Sequence, residues 1–271
     1  MQADLGPVTF LVRFSFPARG GFRTADADLS AAEARLYDPA RLARRFALFE
    51  ALTLPSLRAQ TDGDFRVVVL VGEGLPAEAL GRLHAGLAPL RGASVVALPF
   101  LHAYEAAQRA LDRVPAGALR VSLRLDDDDA VDVGFVARLR RLLPTLAPLR
   151  ASDAPLIVAF NRGHMLDLSG PRPVFTPVVE RLPLGCGTAM IAPAAGRENI
   201  YRRNHRWLAQ FYDVFSEART PAFVRAVHAD NDSDGAAVGR VLPLTPAEIG
   251  AELAAGFPFL PADWRAAAVG P

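Results

Sequence analysis

Lysine is missing altogether from the 271 residues, so all 30 basic side chains are arginine, set against 29 aspartates and glutamates. The net charge of +1 gives no broad cationic field of the kind nonspecific nucleic-acid binding draws on, and nucleic acid is not an expected partner. Cysteine is almost as scarce. Cys186 stands alone, which excludes an intramolecular disulfide framework and a cysteine zinc cluster and fits a reducing, cytoplasmic address. No apolar run reaches the roughly 18 residues that suggest a membrane span. The opening Met1, Gln2, Ala3, Asp4 has no basic segment leading into a signal-length apolar stretch. Membrane contact is therefore expected to be peripheral at most.

What is present is apolar substance: 51% of the residues are hydrophobic and 22% charged, enough for a sizeable core. Val8 to Phe16 reads as a short strand, and Pro39 to Gln60 places Leu42, Phe46, Phe49 and Leu52 at helical spacing. Arg66 to Val71 is a β-branched strand, followed by helix 79–87, strand 93–98, helix 103–114 and strand 119–125. Short strands alternating with amphipathic helices imply right-handed crossovers and a mostly parallel sheet covered on both faces. The first 150 residues are expected to be an α/β nucleotide-binding half. Residues 151–271 form the mixed remainder of the same domain. There a helix 133–143 is expected to stop at Pro144, a strand runs 156–160, Ser169 to Pro171 turns, and a helix spans 197–215.

Strand 119–125 runs directly into Asp126, Asp127, Asp128 and Asp129. Ligands of open parallel sheets bind beyond the carboxyl ends of strands, and alternate residues of an extended segment share a face, so Asp126 and Asp128 can serve one site. Carboxylates suit Mg or Mn, which bridge such groups to substrate phosphates. The plain alternative is a solvated turn with Asp129 or Asp132 near a helix N-cap. Against it, four adjacent negative charges repel one another unless cations or arginines screen them.

Four segments carry a resemblance: 45–50 (RFALFE), 54–64 (LPSLRAQTDGD), 65–71 (FRVVVLV) and 122–130 (SLRLDDDDA), with 227–233 (VHADNDS) downstream. In this order they resemble a rhamnosyltransferase family related to family-two glycosyltransferases of GT-A fold. The resemblance implies a Rossmann-like GT-A sheet with a smaller acceptor-side region, and transfer of a sugar from a nucleotide-activated donor to a glycan or other hydroxyl-bearing acceptor. It further implies Asp126 on the ribose or base side of the donor, Asp128 on the cation, and His228 completing the metal shell. Here Val71 is followed by Gly72 and Glu73, whereas many relatives end this strand in a base-contacting Asp; Glu73 is the substitute.

His228 also reads as a hydrogen-bonded structural residue. Arg13 ends the first apolar strand and Arg124 precedes the acidic run, and either grips phosphate or neutralises the aspartates. Asp127 joins them as a nucleotide-binding candidate. Arg202, Arg203, His205 and Arg206 form a basic face that meets a diphosphate or is merely solvated. Trp207, Phe211 and Tyr212 are expected to pack in a core or lid. Gly185 and Gly187 around Cys186 permit a close backbone approach. For the base that takes the acceptor's proton, Asp213, Asp230 and Glu180 are the candidates. Two other readings stand beside sugar transfer: a nucleotidyltransferase, disfavoured by the missing lysine, and a non-catalytic sugar-nucleotide or metal-binding protein.

Overall fold

The computed structural model describes residues 4–21, 28–151, 153–228, 231 and 239–269. Strand β1 (Leu5–Arg13) precedes α1 (Leu29–Leu36) and α2 (Pro39–Leu48), which continues through a π-helical turn (Phe49–Thr53) into α3 (Leu54–Arg58). Asp38 caps α2 by accepting from the Arg41 amide, and Pro39 sits where no backbone donor is needed. Then follow β2 (Phe65–Gly72), α4 (Ala77–Leu87), β3 (Ala93–Leu98), α5 (Ala103–Leu111) and β4 (Leu119–Asp126). β2 is apolar along almost its whole length and all but one of its residues are buried, because a central parallel strand is covered on both faces.

Beyond the acidic run come β5 (Asp129–Val131), α6 (Phe135–Leu146), β6 (Leu156–Phe160), β7 (Arg162–Asp167), β8 (Val174–Val179) and β9 (Thr188–Pro193). A short 3-10 helix (His205–Gln210) leads to β10 (Asp213–Glu217), β11 (Phe223–Val227), β12 (Arg240–Val241), α7 (Pro246–Gly256) and α8 (Ala262–Val269). Two expectations fail here. Segment 197–215 is not one helix, since the Asn199 side chain bonds Tyr104 and Gln108 on α5 and turns the chain. Helix α6 runs past Pro144 to Leu146, the proline falling in its last turn.

Seven strands form the large sheet in the order β10-β6-β9-β4-β1-β2-β3, and five form a second sheet, β12-β8-β7-β11-β5. The large sheet is parallel except for β9, which runs against both β4 and β6. On one face Phe10 and Phe14 pack against Phe46 of α2, Phe49 of the π-helical turn and Phe135 of α6. The other packs Leu11, Met190 and Leu208 against the alanines of α5. Leu52, Val224, Leu253 and Phe257 fill a third cluster beneath the second sheet. The fold class is thus the α/β arrangement expected, a mostly parallel sheet flanked by helices with a smaller mixed region.

The position of the aspartates follows from this topology. Asp126 is the last residue of β4 in the large sheet, and Asp129 is the first of β5 in the second. Asp127 and Asp128 make the corner between the two sheets.

Candidate active site

The corner is clamped from the helix side. Arg45 of α2 is 6% exposed; its Nε donates to Asp127 Oδ2 at 3.1 Å, its Nη2 reaches the other Asp127 oxygen, and its Nη1 donates to Asp128 Oδ2 at 2.8 Å. About two turns further, Thr53 Oγ1 at the end of the π-helical turn donates to the Asp129 carbonyl at 2.8 Å. Such π turns recur at functional sites, and this one brings a hydroxyl to the backbone of the acidic run.

The carboxylates have different surroundings. Asp126 pairs with Arg124 Nη2 at 3.0 Å and lies 3.9 Å from Arg13 Nε. Burial pushes its pKa up, but Arg124 and Arg13 outweigh burial and hold it below the ordinary value. Asp128 Oδ2 meets His228 Nε2 at 2.9 Å and Asn231 Nδ2 at 3.3 Å. Burial again opposes ionisation there, and Arg45 with His228 overrides it, so Asp128 stays a carboxylate far into the acid range. Asp129 goes the other way: burial, then the Asp128 charge, raise it well above the carboxylate range. Its Oδ1 accepts from the Ala226 amide at 3.1 Å, tying β5 to β11.

A cavity opens on this corner at the carboxyl edge of the large sheet. Arg13, Arg124, Asp126, Asp127 and Asp128 all line it, joined by Arg41, Arg45, Arg203, Arg206 and Arg225. Ser15, also in the wall, holds φ 45°, a left-handed conformation uncommon outside glycine and found at ligand clamps. Gly185 lets the Arg124 guanidinium lie close, since a Cβ there would come within 3.2 Å of its Nε. Gly187 takes φ 79°, which returns the chain into β9. The Cys186 thiol between them is buried and pushed up by that burial, the property of a packing residue rather than a nucleophile.

Other candidates lie elsewhere. Asp213 is exposed at the amino end of β10, paired with the first residue of β6, so it sits at the opposite edge of the sheet from the cavity. Glu180 is buried just past β8, where its amide donates to Asn161 O at 2.7 Å, and it does not line the cavity. Glu73 is exposed beyond β2 and is likewise outside the cavity wall. Asp230 lies outside the described residues. Trp207 and Phe211 are 56% and 48% exposed rather than packed in a core or lid, because the short 3-10 helix does not carry the expected α-helical face. The part played by Arg45 escaped the sequence reading; the only signal for it was that four adjacent carboxylates require cationic partners.

His205 lines the cavity, and its pKa is lowered to about 3 by burial, then by Arg124 and Arg225. Its unfolded value is near 6.5, so the unfolded chain takes the proton first as pH falls. The His205 contribution to the stability of the ligand-free protein should therefore be lost from about pH 6.5 toward pH 4, while Asp129, whose raised pKa lets the folded chain take a proton first, contributes in the opposite direction. Relative to His205→Phe, the wild-type urea midpoint should lose ground as pH falls across this window.

An acidic corner backed by arginines thus stands at the carboxyl edge of a mostly parallel sheet, the edge at which open α/β sheets bind their ligands. The chain belongs to the family described as "Putative rhamnosyl transferase", whose model matches residues 8–240. No curated protein matches it in sequence. Among solved structures it is similar to S. aureus TarS 1-349, at 12% identity over 81% of this chain and 60% of that one, TM-score 0.45. The same protein in complex with UDP-GlcNAc aligns over 97% of this chain and 70% of that one, with 12% identity and TM-score 0.48. GalNAc-T7 with UDP, GalNAc and Mn2+ aligns at 12% identity over 61% of this chain and 24% of that one, TM-score 0.34. The chain thus spans about 60% of the length of the TarS 1-349 chain. Among the described residues no helix is long and apolar enough to cross a membrane.

Proposed function

We propose that the protein is a glycosyltransferase that moves a sugar from a nucleotide-activated donor to an acceptor hydroxyl, with inversion and with the help of Mn or Mg. The observation that carries this reading is the pairing, in one cavity, of the acidic corner, its Asp127 to Asp129 buried and Asp126 half-buried, with a wall of arginines. Guanidinium forks match phosphate oxygens and stay charged at any working pH. Arg13 and Arg124 already steady Asp126; with the donor in place they hold the nucleotide end, Asp126 accepting from the ribose.

The donor set fits a divalent ion at one point. Asp128 Oδ2 and His228 Nε2 stand 2.9 Å apart, close to the separation of neighbouring ligands each about 2.1 Å from an octahedral ion. Among the described residues no group of three His, Cys, Asp or Glu side chains converges on such a point. Asp128 and His228 would therefore hold the ion together with donor phosphates. The mixed oxygen and nitrogen pair favours Mn over Mg. Bound there, the ion would neutralise charge growing on the departing diphosphate. Arg45 keeps the Asp128 carboxylate ionised and oriented for that contact. Asp230, which the sequence sets between His228 and Asn231, is the remaining candidate for taking the acceptor's proton. The lone buried thiol fits a cytoplasmic enzyme, where nucleotide sugars are available.

The test is release of nucleoside diphosphate from a panel of UDP-, dTDP- and GDP-sugars with Mn present, water or glycerol serving as acceptor. Release from one nucleotide class is expected. Release of inorganic pyrophosphate from nucleoside triphosphate and sugar phosphate would instead mark a nucleotidyltransferase, and stabilisation by a donor without turnover would mark a binding protein.

A further inference from the structure

Within the reading just given, His205 has no part, yet its place in the cavity calls for one. It opens the 3-10 helix, and the Asn204 side chain caps that helix by accepting from the Arg206 amide at 3.0 Å. In a 3-10 helix residues three apart eclipse one another. Leu208, three residues on, is fully buried, so the anchored side of the helix is also the side that carries His205 into the cavity wall. There the ring's Nε2 is shielded from water and has no hydrogen-bond partner among the described residues. A shielded polar atom without a partner costs free energy in the folded protein, and such an atom in a cavity wall is relieved when a ligand supplies the missing bond.

The neighbours say which kind of ligand. Arg124 from β4, Arg225 from β11 and Arg206 from the same 3-10 helix line the cavity with His205 and oppose a positive charge on its ring, while Asp126 favours one. Guanidiniums around an imidazole make it a poor taker of a hydroxyl proton, because they oppose the imidazolium. They make the same spot attractive to an anion. We propose that Nε2 of His205 hydrogen-bonds an oxygen of the donor's diphosphate, completing a cradle otherwise made of arginines. The assignment rests on the nucleotide-sugar reading of the cavity. Long arginine side chains swing to meet the anion and uncover the ring; neutral in the ligand-free protein, it then offers its N–H without adding a further cation. His205 thus recognises the second phosphate rather than the nucleoside.

Calorimetric titration of the intact protein with UDP, dTDP and GDP, and with the matching monophosphates, tests this without an acceptor. His205→Phe keeps a ring of similar size and removes both nitrogens; His205→Gln keeps an amide nitrogen near the same place. The phenylalanine variant is expected to bind the preferred nucleoside diphosphate roughly tenfold more weakly, while the monophosphate affinity changes less than about twofold. The glutamine variant should recover most of the loss. Equal losses for diphosphate and monophosphate, unchanged diphosphate affinity, or a glutamine variant no better than phenylalanine would overturn the assignment. Wild-type protein that binds no nucleoside diphosphate would overturn the underlying reading instead.

Discussion

Alanine at Arg45 is expected to destabilise the protein by about 3–5 kcal/mol and to reduce transfer at least a hundredfold. Arg45 is buried and its two partners, Asp127 and Asp128, are 1% and 4% exposed. Removing the cation strands two carboxylates where water reaches neither well, and the loss of one member of a buried ionic group costs that much. The corner between the sheets then loses its anchor to α2. A urea titration should show a lowered midpoint with an unchanged slope, which identifies a stability effect rather than a changed unfolded state. Lysine at the same position restores the charge but cannot bridge two carboxylates as the planar fork does, so Arg45→Lys should recover only part of either loss.

Asparagine at Asp128 should act on chemistry more than on folding. The side chain keeps its shape and can still bond Arg45, Asn231 and His228, and Arg45 keeps the Asp127 carboxylate as its charged partner, while the negative charge that faces the proposed ion is gone. Transfer is expected to fall by 10²–10³-fold, the scale on which loss of one electrostatic stabiliser of a transition state is felt. The melting point should stay within a few degrees of wild type. The additional stabilisation that Mn gives in the presence of a nucleoside diphosphate should vanish, since ligand linkage requires the site to be intact. A variant that loses folding stability and Mn response together would show that Asp128 is an architectural partner of Arg45 and no more.

These two residues also mark how far the sequence could be read. The alternating strands and helices through Asp126 were legible because buried parallel strands are apolar throughout and surface helices are not. β3 occurs at the expected residues, and β2 and β4 lie within one residue of expectation at each end. The acidic run was legible as a candidate site because four like charges at the end of a buried strand need a reason. How its members divide the work was not. Side-chain alternation holds only while the chain stays extended, and the chain leaves the large sheet at Asp126 and enters the second at Asp129. Asp126 therefore faces Arg124 and Arg13, whereas Asp128 faces Arg45 and His228.

Arg45 and Asp127 are 82 residues apart, and no spacing rule connects them. β9 was hidden for a different reason. The second half read only as a mixed remainder, and β9 enters antiparallel between β4 and β6 without a covering helix to announce it. The candidate bases Asp213 and Glu180 were chosen by their half of the chain, and position in the chain says nothing about which edge of a sheet a residue occupies.

Anomalous diffraction from crystals grown with MnCl2 and the nucleoside diphosphate of the preferred donor reaches the account at its centre. A manganese peak about 2.1–2.3 Å from both Asp128 Oδ2 and His228 Nε2, with the diphosphate lying between it and Arg124, is the result expected. Manganese bound elsewhere, or a diphosphate seated outside the arginine-lined cavity, would contradict it.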